Sequence, residues 1–592
     1  MKKLFLINII FLPILLHAQL FTKVTDTDNP IVSAGSAVTG SYSGCAWIDY
    51  NNDGLPDLYW IRGGLFKNLG NGHFEKITDS NLKTDAGYGT TWSDFNNDGW
   101  IDCFISGGSS RGSSLHKNNG DGTFTKITSG PLMDSLQLRG WGSAFADIND
   151  DGFTDIVIAA PFGFAGITDA NKLLLNTGDD NFIRLDTSII CIGTAPYTVP
   201  SFSDYDMDGD MDCFIGSGPA NGTIAPDYLY RNQSIETGSG GWFTKITTAP
   251  IATDPVDGQL WNWIDYDNDG DLDAYLTNYT GTSGGTGMAN NLYRNNGGTF
   301  TKMSDDEAGP IVSDQGLSLS SVWEDFDNDG DLDCFVTNDG SSKCKYYENN
   351  NDGSFTSIST EPVVIATASF YGATAGDYDR DGDVDLFVSA TGSGKGLFMN
   401  NASGNGNNWV NFSLEGTGSN RSAIGARINV KAKINGNDVW QLREISSQNS
   451  FNSMNSLNVE FGFGDATIID SLIIYWPSGI IDACSDIELN AFYKVVEGAC
   501  PSEPLAIQKL NHEDLKIFPN PADEKLYIKY SGITTSNVTI EIRDITGRLI
   551  AYLEKASNDG LIEIETNNLL PGIYCITIHN GTKNYHELLE IK

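Results

Sequence analysis

The chain has 592 residues, enough for roughly three or four domains, and it is strongly acidic: 77 Asp and Glu stand against 36 Lys and Arg, for a formal net charge of −41. A field of that sign repels nucleic acid and anionic membrane surfaces, which excludes both as partners, and it suits divalent cations.

The N-terminus, MKKLFLINIIFLPILLHAQ, sets two lysines before a short apolar run and the small residue Ala18 before Gln19. This pattern predicts a secretory signal peptide over residues 1–18, cleaved after Ala18. The run from Leu4 to Leu16 is too short to span a bilayer, and no later segment is long and apolar enough. The mature chain is therefore expected to be exported and soluble, with no transmembrane segment.

A nine-residue loop then appears seven times, with Asp or Asn at positions 1, 3 and 5, Gly at 6 and Asp at 9. The first copy, DYNNDGLPD, offers Asp49, Asn51, Asp53, the carbonyl of Leu55 and Asp57. The second offers Asp94, Asn96, Asp98, Trp100 and Asp102, and the third Asp147, Asn149, Asp151, Phe153 and Asp155. The fourth, DYDMDGDMD, has Asp204, Asp206, Asp208, Asp210 and Asp212. The fifth has Asp265, Asp267, Asp269, Asp271 and Asp273, the sixth Asp325, Asp327, Asp329, Asp331 and Asp333, and the seventh Asp377, Asp379, Asp381, Asp383 and Asp385. Calcium takes six to eight oxygens, and side chains at 1, 3 and 5 converge on one point where a Gly at 6 permits a sharp turn. A carbonyl at 7 and the Asp at 9 complete the shell. An EF-hand would need Glu at position 12, where this chain has apolar residues such as Ile215, Leu276 and Val336. About seven Ca²⁺ sites are thus expected, which would bring the net charge to about −27. The first three loops carry Asn at position 3 and an apolar residue at 7, the last four carry Asp at both, and the all-acid group is expected to bind more tightly.

Each loop lies in a unit of four strand-like pieces, with 45 to 61 residues between successive loops. The first piece ends at the loop and the second follows it. The third ends in Asn (LFKN, LHKN, LLLN, LYRN, LYRN, YYEN, LFMN), and the fourth reads like FTKIT. The seventh unit stops at Asn400 without a fourth piece, whereas FTKVT at 21–25 precedes any first piece. The N-terminal strand is expected to complete the last blade and close a ring, leaving no exposed edge there. The expected fold is all-β: a seven-bladed β-propeller with calcium loops over 19–402, then a β-rich module and a small C-terminal β-sandwich. The loops and blades resemble the FG-GAP/VCBS repeats of integrin α-chain-type propellers, over about residues 20–400.

Residues 407–498 leave the repeat, and alternating apolar residues with Gly/Asn turns give an all-β module. SNRSAIGARINVKAKING, REISSQNSFNSMNS, VEFGFGDA and LIIYWPSG resemble the ASPIC/UnbV domain, which often follows such propellers in bacterial exported proteins and in the cartilage acidic protein family. Ser447-Gln448-Asn449 departs from that family, which tends to have glycine there. Arg421, Arg427, Arg443 and Glu444 are either a polar site or strand-edge ion pairs. Residues 499–514 read as a linker. From Leu515 to Lys592, short alternating strands suggest a sandwich. Pro519-Asn520-Pro521, Asp544 to Arg548 and Leu570 to Tyr574 are similar to the type A C-terminal sorting domain of the type IX secretion system of Bacteroidetes. That resemblance implies contact with the secretion machinery, passage across the outer membrane, and removal of the domain with release or surface attachment.

Nine cysteines is an odd number. Cys103, Cys213 and Cys334 share one repeat position and read as small buried strand residues, while Cys334 with Cys344 and Cys484 with Cys500 are close enough for disulfides. No catalytic motif stands out. Of the histidines His73, His116, His512, His579 and His586, none has metal or triad spacing, and His73 and His116 read as surface residues of blade hairpins. The leading expectation is a calcium-binding protein of the cell surface or extracellular space that recognises a protein or polysaccharide. The alternative is a polysaccharide-acting enzyme such as a lyase, with the inserts at 160–172, 216–227 and 278–291 as its candidate segments.

Overall fold

The computed structural model describes residues 19–501 apart from 35–41, 71, 83–86, 109–111, 134–137, 165, 179, 219–223, 238–241, 281–284 and 286. From 515 onward it describes the strands and part of the chain between them. The signal-peptide segment, His512, most of the linker, Pro519-Asn520-Pro521, residues 545–548 and residues 570–571 lie outside the described residues. The chain divides into two compact units, 1–505 and 506–592.

The first unit opens with seven four-stranded antiparallel sheets. Sheet one runs Cys45–Ile48, Asp57–Trp60, Gly64–Asn68, Phe74–Ile77 in that order. Sheets two to six repeat the plan, with first strands at Gly89–Ser93, Gly142–Ala146, Pro200–Ser203, Gly258–Ile264 and Ser318–Glu324. Sheet seven has its first three strands at Phe370–Gly376, Asp385–Ala390 and Gly396–Asn400. Its fourth is Phe21–Lys23, with Phe21 opposite Asn400 and Lys23 opposite Phe398. The buried Glu361 carboxylate accepts the backbone N–H groups of Leu20 (3.1 Å) and Phe21 (2.9 Å) and anchors that strand. First strands of successive sheets pack side by side, and the first strand of sheet seven packs on that of sheet one. Aromatic residues fill the spaces between sheets: Trp47 stacks on Tyr378 at 5.6 Å, and Tyr59 meets Trp92 edge-on at 5.2 Å. Burying such rings is the main source of sheet-to-sheet adhesion.

Residues 408–496 form a three-stranded and a four-stranded sheet. Strand Asn408–Glu415 pairs antiparallel with Val459–Gly464 and parallel with Ala491–Val496. The expectation of an all-β module holds, but the module shares its core with the repeat sheets. Phe412, Ile428, Val430 and Phe461 belong to one apolar cluster with Phe95, Phe104, Phe145 and Ile156.

The segment between Glu444 and Val459 runs among the first strands of the seven sheets. Ser447 Oγ donates to Phe145 O and accepts from Phe145 N. The carbonyls of Asn452 and Asn449 accept from Thr90 N and the Asn262 amide. Phe451 N–H donates to Ser320 Oγ, and Thr374 Oγ donates to Met454 O. Met454 N–H donates to Cys45 O. Sheet four is met by Glu444, which accepts Asp204 N–H. Phe451, Asn452, Ser453 and Met454 are fully buried, and every polar bond of this kind spares a backbone group an unsatisfied burial. Ser447 and Gln448, where glycine was expected by resemblance, are buried members of this plug.

Cys484 and Cys500 form a disulfide, whereas Cys334 and Cys344 are free and buried. Cys103, Cys213 and Cys334 are buried strand residues, as their repeat position suggested. His116 corrects the surface assignment: it lies buried in strand Ser114–Asn118, because both faces of this strand pack on neighbouring sheets, Leu115 joining the cluster of Phe145 and Ile156 and His116 standing opposite Cys103, which packs with Tyr59. The second unit has a three-stranded and a four-stranded sheet around Leu526, Ile528, Ile540, Ile542, Ile564 and Ile576, the sandwich its alternation predicted.

Candidate metal centres

All seven loops join a first strand to a second strand, so they share one end of the sheets. The turn begins with the residue at position 4, which lies in the left-handed region in every copy: Asn52, Asn97, Asp150, Met207, Asn268, Asn328 and Arg380 have φ of 56 to 60°. The glycine at position 6 follows with φ from 82 to 106°, a conformation a side chain would strain. This double reversal turns the backbone N–H groups inward. The position-6 N–H donates to one oxygen of the position-1 carboxylate in all seven loops, at 2.7 to 3.1 Å. The position-7 N–H donates to the position-5 carboxylate in all seven, at 3.0 to 3.3 Å.

The closing Asp at position 9 opens the second strand and is fully buried in every copy. One of its oxygens accepts the N–H of the Asn that ends the third strand, at 2.6 to 2.9 Å. That Asn has a second task. Its amide donates to the position-8 carbonyl of its own loop at 2.9 to 3.2 Å. It also donates to the position-2 carbonyl of the preceding loop at 2.7 to 3.1 Å. Asn68 closes the cycle by reaching Tyr378 of loop seven.

The last four loops bring carboxylate oxygens to one point. In loops four to seven, oxygens of Asp204, Asp206 and Asp208, of Asp265, Asp267 and Asp269, of Asp325, Asp327 and Asp329, and of Asp377, Asp379 and Asp385 lie within 4.8 Å of one another. Asp204 Oδ1, Asp206 Oδ1, Asp212 Oδ2, Asp267 Oδ1, Asp379 Oδ1 and Asn149 Oδ1 are buried acceptors with no hydrogen-bond donor. Buried acceptors of this kind are costly unless a cation completes them, so the donor set fits a hard oxygen-seeking ion. Burial is also the first cause that pushes Asp49 and Asp94 up to about 6, Asp147 to about 7 and Asp265 to about 8, with neighbouring carboxylates adding and the loop N–H groups opposing. The position-9 carboxyls are all raised well above the usual range, again chiefly by burial.

The loops are not equal, and the residue before the third-strand Asn sorts them further. Lys67 pairs with Asp53 at 3.4 Å and Lys117 with Asp98 at 3.2 Å. Arg231 pairs with Asp206 at 3.0 Å and Asp208 at 2.7 Å, and Arg294 offsets Asp267 and Asp269. In sheet six the same position is Glu348, whose charge adds to Asp329 and Asp331. In sheets three and seven it is Leu175 and Met399.

The four residues singled out in the second module face these loops. Arg427 lies 3.1 Å from Asp204, and Arg421 lies 2.5 Å from Glu415 and 3.8 Å from Asp94. Arg443 is half-buried over the Phe461 ring at 5.0 Å, where Asp325, Glu324, Asp265 and Asp331 act on it. Glu444 is pushed up to about 8 by burial and the nearby Asp204. The three arginines are counter-charges to the loops, whereas Glu444 adds a buried carboxyl beside Asp204. The loop sequences alone could not show this, because these residues lie more than a hundred positions from the loop carboxylates they face.

The opposite end of the sheets carries an aromatic cluster. Tyr42, Tyr88, Trp141, Phe164 and Tyr371 pack around Phe451, with Trp141 to Tyr88 at 4.5 Å and Trp141 to Phe164 at 4.8 Å. Asp339 accepts from Tyr42 (3.4 Å) and Tyr279 (2.9 Å). These residues are scattered over six units, so no motif announced them.

Comparison with known proteins places three family models on the chain. Residues 49–105, 94–158, 265–336 and 325–388 match the FG-GAP-like repeat. Residues 416–502 match the ASPIC and UnbV model, and residues 516–592 match the secretion system C-terminal sorting domain. No curated protein sequence matches the chain. Among solved structures, it is similar to a lectin of Agrocybe aegerita that recognises non-reducing terminal N-acetylglucosamine. Identity is 17% over 60% of this chain and 89% of the lectin, with a TM-score of 0.38. The biofilm matrix protein Bap1 of V. cholerae matches at 12% identity over 87% of this chain and 80% of its own, with a TM-score of 0.25. An exo-β-1,3-galactanase of Phanerochaete chrysosporium matches at 10% identity over 72% and 99%, with a TM-score of 0.27.

Proposed function

We propose that this chain, an exported protein of FG-GAP-like repeats, an ASPIC and UnbV domain and a type IX sorting domain, is a seven-bladed propeller whose loops hold about seven Ca²⁺ ions, and that it acts in recognition at the cell surface or outside the cell. The calcium reading rests on the oxygen-only donor set and its buried, donorless acceptors. In it, positions 1, 3, 5 and 9 supply side-chain oxygens and position 7 a carbonyl. Residues 19–402 are the propeller, 407–498 the docked module, 499–514 a linker and 515–592 the sorting domain.

The ions serve as structural pins. With free calcium at ten times the dissociation constant, each site adds about 1.4 kcal/mol and seven independent sites roughly 10. That is comparable with the net stability of a whole domain. Charge near the ion raises affinity, so loop six, with Glu348 beside five Asp residues and Arg443 as a partial offset, is the tightest. Loop four, offset by Arg231 and Arg427, is weaker than its Asp count suggests.

The observation that carries the recognition reading is which end is covered. The sheets of the docked module lie over the loop end, and its plug reaches the aromatic end through Phe451, around which the described residues include side chains open to a partner. Half-buried Tyr42, Tyr88, Phe164 and Tyr279 there offer flat apolar faces with polar edges, the chemistry enriched in binding surfaces. The partner is a protein or a polysaccharide. A glycan array and a surface pull-down with the full-length mature chain, run beside an assay for the unsaturated product of a lyase, test this reading. Binding that Tyr88→Ala and Tyr279→Ala abolish supports it. Turnover without retained binding favours the enzyme instead.

A further inference from the structure

Two amide relays join each loop to its neighbour, and only one of them is complete. The third-strand Asn reaches the preceding loop at all seven junctions. The second relay starts at position 4, between the ligands at positions 3 and 5. Asn52 donates to Gly99 O at 2.7 Å, Asn97 to Gly152 O at 2.9 Å, Asn268 to Gly330 O at 3.0 Å and Asn328 to Gly382 O at 3.2 Å. Each of these carbonyls belongs to the peptide between positions 6 and 7 of the next loop. The N–H of that same peptide donates to the position-5 carboxylate: Trp100 to Asp98, Phe153 to Asp151, Asp331 to Asp329 and Asp383 to Asp381. A peptide unit is planar, so fixing its carbonyl fixes its N–H and hence the carboxylate it holds.

The relay fails at two junctions and changes character at a third. In loop three position 4 is Asp150, a carboxylate facing Asp204 and Asp210 of loop four, where an amide would donate. In loop four it is Met207, which has no donor. In loop seven it is Arg380, which lies against Gly54 and feels Asp49 and Asp53 of loop one. The left-handed backbone is kept at all three, so the difference lies in the side chain alone.

We propose that the position-4 asparagines make neighbouring metal loops bind cooperatively in two runs, loops one to three and loops five to seven, with loop four outside this relay. The inference rests on the calcium reading given above. An ion that orders one loop fixes its position-4 residue, which pre-sets the position-5 ligand of the next loop and lowers the ordering cost of its ion. Loss of one such hydrogen bond should weaken the coupled site about fivefold.

The test is calcium titration of the full-length mature chain followed by native mass spectrometry, which counts ions per molecule. The variants exchange residues that the fold already tolerates at this position: Asn268→Met and Met207→Asn. Partly filled runs should be scarce in the wild type. Asn268→Met should detach loop five, populate those intermediates and weaken one ion about fivefold. Met207→Asn, which adds a bond and preserves the fold, should tighten one ion by a similar factor. If ions bind but both variants superimpose on the wild-type distribution, the coupling is overturned. If no ion binds to the wild type, the calcium reading itself fails.

Discussion

Asn118 ends the third strand of sheet two, and its amide stands between loops one and two. Replacing it with Leu keeps the volume and removes every polar atom. The amide bonds to Tyr50 O (2.8 Å) and Ile101 O (3.2 Å) are lost, as is the bond that Asn118 Oδ1 accepts from Gly120 N–H (3.0 Å). The side chain is buried, so water cannot replace the two orphaned carbonyls. At about 1 kcal/mol for each lost bond, and more where a buried group stays unsatisfied, the cost is roughly 3 to 5 kcal/mol. An unfolding entropy of about 2 cal/mol/K per residue over this large unit makes that a fall in melting temperature of roughly 3 to 5 °C. Differential scanning calorimetry in saturating calcium measures it. The neighbouring Asn119→Ala is the control, since Asn119 is exposed and bonds only within its hairpin. If Asn118→Leu melts within about 1 °C of the control, the amide is not a structural link and the reasoning is refuted.

Calcium-free protein should lose stability as pH rises from about 4 to 8. The loop carboxyls are raised in the folded state by burial, so between the unfolded and folded values the native chain binds more protons than the unfolded one, and the slope of stability against pH is negative. Chemical denaturation midpoints in EDTA across that range check the sign, and a midpoint that rises with pH would contradict it. Glu348→Lys should weaken the tightest calcium step about tenfold by replacing an added carboxylate with a counter-charge, as Lys67 and Lys117 already provide in loops one and two. Calorimetric titration measures that step, and an unchanged constant would mean that Glu348 does not act on loop six.

Much of the architecture was legible in the sequence because its signals are local and repeated. The Asp-rich loop fixes its own turn within nine residues, and FTKVT ahead of Cys45 marked a strand whose partner lies at Gly396–Asn400. The third-strand Asn was equally visible in all seven copies, yet its role was not, since its two acceptors lie in different units. Position 4 varies among Asn, Asp, Met and Arg along the sequence. Its left-handed φ, identical in Asn52, Met207 and Arg380, appears only in the fold. The placement of residues 446–456 among seven first strands was out of reach for the same reason: serine and asparagine satisfy backbone groups hundreds of residues away, and no periodicity records that. The buried His116 was misjudged because both faces of its strand are covered by neighbouring sheets, which leaves no polar-out alternation to read.

Calcium is proposed as the pin of every loop. The most direct measurement is the melting temperature of the mature chain in excess EDTA and after calcium is restored, with bound ions counted in the same samples. About seven ions, and a melting temperature lower by roughly 10 °C without them, are predicted. A chain that holds no calcium, or that melts at the same temperature in EDTA, would contradict it.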